Sequence, residues 1–258
     1  MSGARLALAG LALLAVAACV SSAPTSPTGR PTSPQEAAKY NAQLAVEYMR
    51  KGDLGVAREK IDRALTQDPG NVSVQMIAGL IYDRLGDDKR ADEHYATALR
   101  LKPDDPEMQN NYGVYLCRKG KTAEGEKLLL KAANNAEYRT PEVALTNAGM
   151  CMRGAGKLDE AEKYFRQVLR TRPRYGDALL QLADLDFQRN TKESNDEAST
   201  LIKRFLSVVA APGPEILWLG VRVERARGDK ATADAYARRL KSEYPQAEQT
   251  RALLASER

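Results

Sequence analysis

The side chains able to do bond chemistry are few and scattered. The 258-residue chain holds one histidine, His94, and three cysteines, Cys19, Cys117 and Cys151. A zinc site draws on several His, Cys or carboxylate ligands at set spacing, and no cysteine lies near His94 in sequence. A histidine-based nucleophile relay would hang on that one imidazole. His94 directly precedes Tyr95 in an amphipathic stretch, which predicts an exposed surface histidine. No strand followed by a glycine-rich phosphate loop can be found. Asn195-Asp196 reads as turn chemistry. The carboxylates alternate with Lys and Arg along helical faces, the pattern of a solvated surface. The net charge of +5 is spread rather than blocked, which argues against a nucleic-acid partner. No catalytic residue, metal ligand or cofactor is therefore expected. The remaining task for such a chain is recognition of another protein.

The first 36 residues differ in kind from the rest. Arg5 precedes an apolar run over residues 6–18, broken only by Gly10. That run is short for a membrane span, which takes about 20 apolar residues, and its layout predicts a cleaved signal peptide over 1–18. Val16-Ala17-Ala18-Cys19 resembles the bacterial lipobox; the other reading is an ordinary signal with a chance cysteine. The lipobox resemblance implies a lipidated N-terminal Cys19, and Val20 in place of Asp implies the outer membrane. Three acyl chains exceed the two signals that stable anchoring takes. Residues 19–36 carry Ser, Thr and Pro without an apolar period, the composition of an extended tether. Residues 37–258 are expected to form the folded domain.

Those residues repeat themselves about every 34 positions, the period of a helical array. The cleanest copy shows Gly79, Tyr82, Gly86, Ala91, Tyr95, Ala98 and Pro103 in order. The copy before it shows Ala45, Tyr48, Gly52, Ala57, Ile61, Ala64 and Pro69. The next shows Gly113, Leu116, Gly120, Gly125, Leu129 and Ala132, with no terminal proline and a longer exit loop at 134–140. A fourth carries Gly149, Met152, Gly156, Ala161, Phe165 and Pro173. A fifth is degraded, with a widened turn expected over 190–196, and a sixth carries Gly220, Gly228, Ala233, Ala237, Leu240 and Pro245. This order of small, large, turn, small, aromatic, small and proline resembles the tetratricopeptide repeat (TPR). The fold expected is all-α: a right-handed superhelix of about six TPR repeats, closed by a capping helix over 247–258.

In such superhelices the first helix of each repeat lines a concave groove. Helical spacing puts Val46, Met49 and Arg50 on that face in the first repeat, Met76, Leu80 and Arg84 in the second, and Asn110, Val114 and Arg118 in the third. The apolar members read equally as core. Met-bearing surfaces adapt to their ligands, and a helix or strand fits such a groove. Asn111 and Asn147 share one repeat position. By resemblance to peptide-binding TPR domains this implies a grip on ligand backbone; a local bond between helices is the other reading. Cys117 and Cys151 fall on the first helices of adjacent repeats. They are either a disulfide, in an oxidising compartment, or two small buried residues.

Lipobox, tether and six repeats together resemble the type IV pilus biogenesis and stability lipoproteins, the pilotins of the PilF/PilW kind. The segment Asn110-Asn111-Tyr112-Gly113, running on to Cys117, is the strongest local match. The resemblance implies a non-enzymatic partner of the pilus secretin, one that binds its subunits and promotes their targeting to the outer membrane and their multimerisation there. An alternative with the same architecture is a lipoprotein scaffold for periplasmic cell-wall enzymes.

Overall fold

The structure, a computed structural model, describes residues 33–257. The expected signal peptide, Cys19 and the tether up to residue 32 lie outside the described residues. Among the described residues there are thirteen helices and no strand. They form six pairs and a final single helix. The pairs are α1 (Pro34–Arg50) with α2 (Leu54–Gln67), α3 (Val72–Arg84) with α4 (Asp88–Leu101), and α5 (Pro106–Arg118) with α6 (Thr122–Ala133). Then follow α7 (Pro141–Gly154) with α8 (Leu158–Thr171), α9 (Gly176–Arg189) with α10 (Lys192–Val208), and α11 (Pro214–Arg227) with α12 (Lys230–Glu243). The cap α13 spans Glu248–Ser256. Each pair packs on itself, and first helices also touch the first helices of adjoining repeats, α1 on α3 through to α11 on α13. The stack is a right-handed TPR superhelix.

Local chemistry explains where the helices begin and end. Helix α1 starts at Pro34, inside the segment read as tether, because Ser33 accepts from the Glu36 amide and proline suits the first helical position. Turns between paired helices need a left-handed residue, and Gly86 supplies it at φ +75°. The aspartate that follows, Asp87, caps α4 by accepting from the Arg90 amide. The fifth repeat departs from the sequence expectation. Its turn is not widened over 190–196: Asn190 alone takes the left-handed conformation, at φ 52°, and Thr191 and Ser194 form a reciprocal capping box that starts α10 at Lys192. Asn195 and Asp196 are thus helical, and Asn195 is buried. His94 is also not the free surface residue expected. It is half-buried, stacks on Tyr82 at 5.3 Å between ring centroids, and lies 2.7 Å from Gln75 Oε1 through Nδ1. Burial pulls its pKa below the ordinary value, so the neutral ring donates to the Gln75 carbonyl.

Within several pairs the helices approach closely at a glycine of the first helix. A Cβ on Gly79 would stand 2.8 Å from the Tyr95 ring, one on Gly113 2.8 Å from Leu129 Cγ, and one on Gly220 2.7 Å from the Tyr236 ring. In the third pair Gly113 faces a second glycine, Gly125, across the contact. At Gly125 a Cβ would lie 2.7 Å from the Gly113 carbonyl oxygen and would strike Cys117 Sγ. The buried apolar residues form two clusters. One runs through the first three repeats around Ile61, Ile81 and Tyr82, and the other through the third repeat to the cap around Phe165, Leu182 and Ile202.

Of the carboxylates enclosed beside the second cluster, Glu224 is matched by Arg227 and the Ser199 hydroxyl, whereas Asp186 is poorly matched. Asp186 on α9 is 1 % exposed, with Oδ1 3.5 Å from Arg189 and Oδ2 without a hydrogen-bond partner. Around it, Glu162 pairs with Arg166 at 2.6 Å, and Arg166 pairs with Glu197 at 2.7 Å. Burial first, and the Glu197 charge second, push the Asp186 carboxyl up to about 7.

Two predictions follow from this packing. The position of Gly125 is filled by alanine in other repeats (Ala57, Ala91, Ala161, Ala233), and alanine is the better helix former by about 1 kcal/mol. Gly125→Ala nevertheless destabilises, by about 1–3 kcal/mol from overpacking, measurable by urea unfolding. For Asp186 the folded-state pKa lies above the unfolded value of about 4. The folded state therefore holds the proton more tightly, and stability is lost as pH rises from about 4 through about 7. Asp186→Asn removes that loss: its Tm exceeds that of the parent at pH 8, by about 2–4 °C per kcal/mol recovered, and the gain shrinks toward pH 4. A gain independent of pH would exclude titration at this carboxyl.

Candidate functional site: an amide-lined cavity at the third repeat

Helices α3, α5 and α7 present successive turns to the same concave wall, and between them lies a cavity of 270 Å³. Met76 and Leu80 come from α3, Asn110, Asn111, Val114 and Arg118 from α5, and Asn147 from α7; Tyr95 of α4 closes the floor. The sequence thus named most of this lining, but Val46, Met49, Arg50 and Arg84 lie outside it. Val46 and Met49 are half-buried on α1, Met49 against the N-terminal core cluster, while Arg50 and Arg84 are exposed. Tyr95 was read from the sequence only as the aromatic mark of its repeat. It is 4 % exposed, and its phenol is held neutral chiefly by burial, with the Asp83 charge adding to the upward shift.

The three asparagines form a chain across two helices. Asn147 Nδ2 donates to Asn110 Oδ1 at 2.9 Å, so the bond between helices exists. Asn110 Nδ2 reaches Asn111 Oδ1 only at 3.4 Å, a long contact. Asn111 Nδ2 ends on Met76 Sδ at 3.0 Å, and a thioether is a weak acceptor. The chain therefore has strong donors engaged with poor partners beside an apolar floor. A ligand carrying amide groups exchanges these weak contacts for good ones.

Arg118, which helical spacing puts on the groove face, is held by a carboxylate. It is bonded to Asp83 of the preceding repeat, whose carboxylate side chain is 4 % exposed and is also approached by Lys119 Nζ at 3.7 Å. This pair spans 35 positions, outside any local window. It makes Arg118 one half of a positioned ion pair. What the cavity offers is amide, thioether, aliphatic and aromatic surface, with one bonded ion pair. Among the described residues no group of three or more His, Cys, Asp or Glu is arranged to hold a metal ion.

Cys117 and Cys151 are joined as a disulfide that ties α5 to α7. These are the helices that carry Asn110 and Asn147, so the bond fixes the two halves of the amide chain relative to each other. Gly125 opens the space that Cys117 Sγ occupies.

Comparisons with known proteins agree with this architecture. Tetratricopeptide repeat family models match residues 43–106, 104–174 and 216–247. The chain is 25% identical over 244 residues to the type IV pilus assembly protein PilF of Pseudomonas aeruginosa, covering 93% of this chain and 94% of that one. The crystal structure of PilW, described as a widely conserved type IV pilus biogenesis factor, superposes with a TM-score of 0.72 at 31% identity, covering 84% of this chain and 98% of PilW. The structure of Pseudomonas aeruginosa PilF gives a TM-score of 0.67 at 25% identity, covering 86% of this chain and 99% of that one.

The disulfide closes a loop of 34 residues in sequence separation. Chain-entropy arguments give about 3–4 kcal/mol for a loop of that size. Treatment with a phosphine reductant, or the paired Cys117→Ala and Cys151→Ala replacement, lowers unfolding free energy by about that amount. Denaturant titration with and without reductant measures it, and identical curves would show that α5 and α7 hold together without the bond.

Proposed function

This chain belongs to the family of tetratricopeptide-repeat type IV pilus biogenesis proteins, and from that premise we propose that it is the pilotin of its secretin. In this reading it binds secretin subunits through the amide-lined cavity and promotes their arrival and multimerisation at the outer membrane. Its anchor is a lipidated Cys19, exposed after removal of residues 1–18, with the segment up to α1 as the tether. No helix among the described residues is long and apolar enough to cross a membrane. The work is binding, with no bond chemistry.

One observation carries the choice of surface: Asn147, Asn110 and Asn111 are chained over an apolar floor of Met76, Leu80 and Val114. An extended or helical secretin segment fits that wall by placing an apolar side chain on the floor and main-chain amides against the asparagines. The geometry gives the partner segment no anionic requirement here, because Arg118 is already spent on Asp83.

The test has a cellular and a molecular arm. Deleting the gene removes heat-resistant secretin multimers from the outer membrane or leaves them in the inner one. Met76→Glu with Leu80→Glu gives the same phenotype and weakens secretin capture by the purified chain at least tenfold, about 1.4 kcal/mol, while circular dichroism keeps its helical content. Multimers that persist at the outer membrane in the deletion strain sink the pilotin reading. Co-purification of a peptidoglycan enzyme in place of the secretin would turn it into the cell-wall scaffold.

A further inference from the structure

A second and larger cavity, 580 Å³, lies on the first helices of the last repeats and belongs to none of the machinery above. Its floor is Met150 of α7, Leu180 of α9 and Trp218 of α11. Met150 is 42 % exposed, one of the few large apolar side chains so open, and Trp218 is half-buried. Open apolar surface of this kind, rimmed by charge, marks an interaction site.

The rim is electrically asymmetric. At one end a single carboxylate, Asp184, sits between two guanidiniums: Arg153 at 2.6 Å and Arg222 at 3.5 Å. That leaves one positive charge in excess. Arg222 is held flat by aromatic faces, its guanidinium carbon 4.9 Å from the Phe187 ring centre and 5.7 Å from that of Trp218. Its Nε is buried and finds no acceptor among the described protein atoms. At the other end Glu215, exposed at the start of α11, is met by Gln249 Nε2 of the cap at 3.5 Å. With Glu215 at the far end the rim as a whole is neutral, two guanidiniums against two carboxylates, and the single cation in excess at the Asp184 end is far too little for a polyphosphate chain, which binds through many cations. The same balance, one fixed cation over an apolar floor, complements one carboxylate next to one apolar side chain.

We propose that this cavity is a second docking site, for a peptide segment that lays an apolar side chain on Trp218 and Met150 and sets an adjacent carboxylate against Arg222. The site stands independently of the pilus reading. It shares only α7 with the amide-lined cavity, where Asn147 faces one cavity and Met150 and Arg153 face the other.

Trp218 is the only tryptophan of the chain, so its emission reports on this cavity and no other. The probe is an acetylated, amidated octapeptide of alternating Leu and Asp, titrated into the purified folded chain. The controls replace every Asp by Lys or every Leu by Ser. The acidic apolar peptide shifts Trp218 emission saturably, and both control peptides bind at least tenfold more weakly. Arg222→Gln weakens the acidic peptide about 10–100-fold, the range of a hydrogen bond to a charged group, with helical content unchanged. Glu215→Gln leaves binding equal or tighter, and Met76→Glu leaves it unchanged, which separates this site from the other. The proposal is overturned by unchanged Trp218 emission, by equal binding of the Lys peptide, or by indifference to Arg222→Gln. It is equally overturned by an emission shift that follows protein concentration without peptide and tracks a dimer in light scattering, since the occupant is then a second copy.

Discussion

The contact on which the structure depends is the seating of a large side chain of the second helix on a residue without a Cβ in the first, made in four of the six pairs. Gly79 under Tyr95, Gly113 under Leu129, Gly149 under Phe165 and Gly220 under Tyr236 are each separated by the same sixteen positions, and a Cβ would drive atoms within 3 Å. The contact sets how near the two helices of a pair lie. Because it recurs, it also sets a constant step from one first helix to the next, and a continuous concave wall is the result. The cost is local: glycine in a helix interior weakens it by about 1 kcal/mol against alanine. These helices are therefore held by packing more than by propensity, and the binding wall has no existence apart from the stack.

The third repeat is where that regularity is under most pressure. The two buried clusters meet there, Leu116 belonging to one and Leu129 to the other. It lacks the closing proline, and the connection from α6 to α7 is longer than its counterparts. A looser connection leaves α7 less constrained against α5 by the chain alone. The Cys117–Cys151 bond and the Asn147–Asn110 amide contact supply the constraint at one place. The glycine at 125 then follows: a first helix carrying a sulfur bridge toward its neighbour leaves no room for a methyl on its own partner helix. The amide-lined cavity sits where the covalent and the amide tie between α5 and α7 coincide.

What was legible in the sequence is what packing writes with a fixed period. Turn glycines, the small residue of each first helix and the groove-facing phase of Met76, Leu80, Asn110 and Val114 all recur at repeat spacing, so position alone reveals role. The features that escaped are those decided by competition or by distance. At 190–196 a run of turn-favouring residues was outweighed by the Thr191–Ser194 capping box, which offers the same backbone groups a helical solution. His94 is phased to the surface, yet Gln75 and Tyr82 of the preceding helix reach over it. Arg118 and Arg153 find carboxylates, Asp83 and Asp184, some thirty positions away in adjacent repeats. Such pairs depend on how repeats rotate past one another, which no single window records. The cavity at Trp218 was missed for the same reason, since four helices from four units build it.

The state of the amide chain says how binding to this wall must work. In the unbound protein its donors are not idle: each is turned toward a neighbour, though the partners at Asn111 and Met76 are long or weak. A ligand amide therefore replaces contacts instead of adding them, and the net gain per bond is the small difference between a poor hydrogen bond and a good one. Affinity has to come from the apolar floor, where Met76, Leu80 and Val114 are half-buried already and give up only part of their surface. Selection then rests on geometry: the disulfide holds the asparagines of α5 and α7 at one spacing, so ligands that match it lose little freedom in the protein when they bind. A fixed amide ladder over a modest apolar floor therefore selects a ligand by the fit of its amide spacing more than by the apolar area it buries.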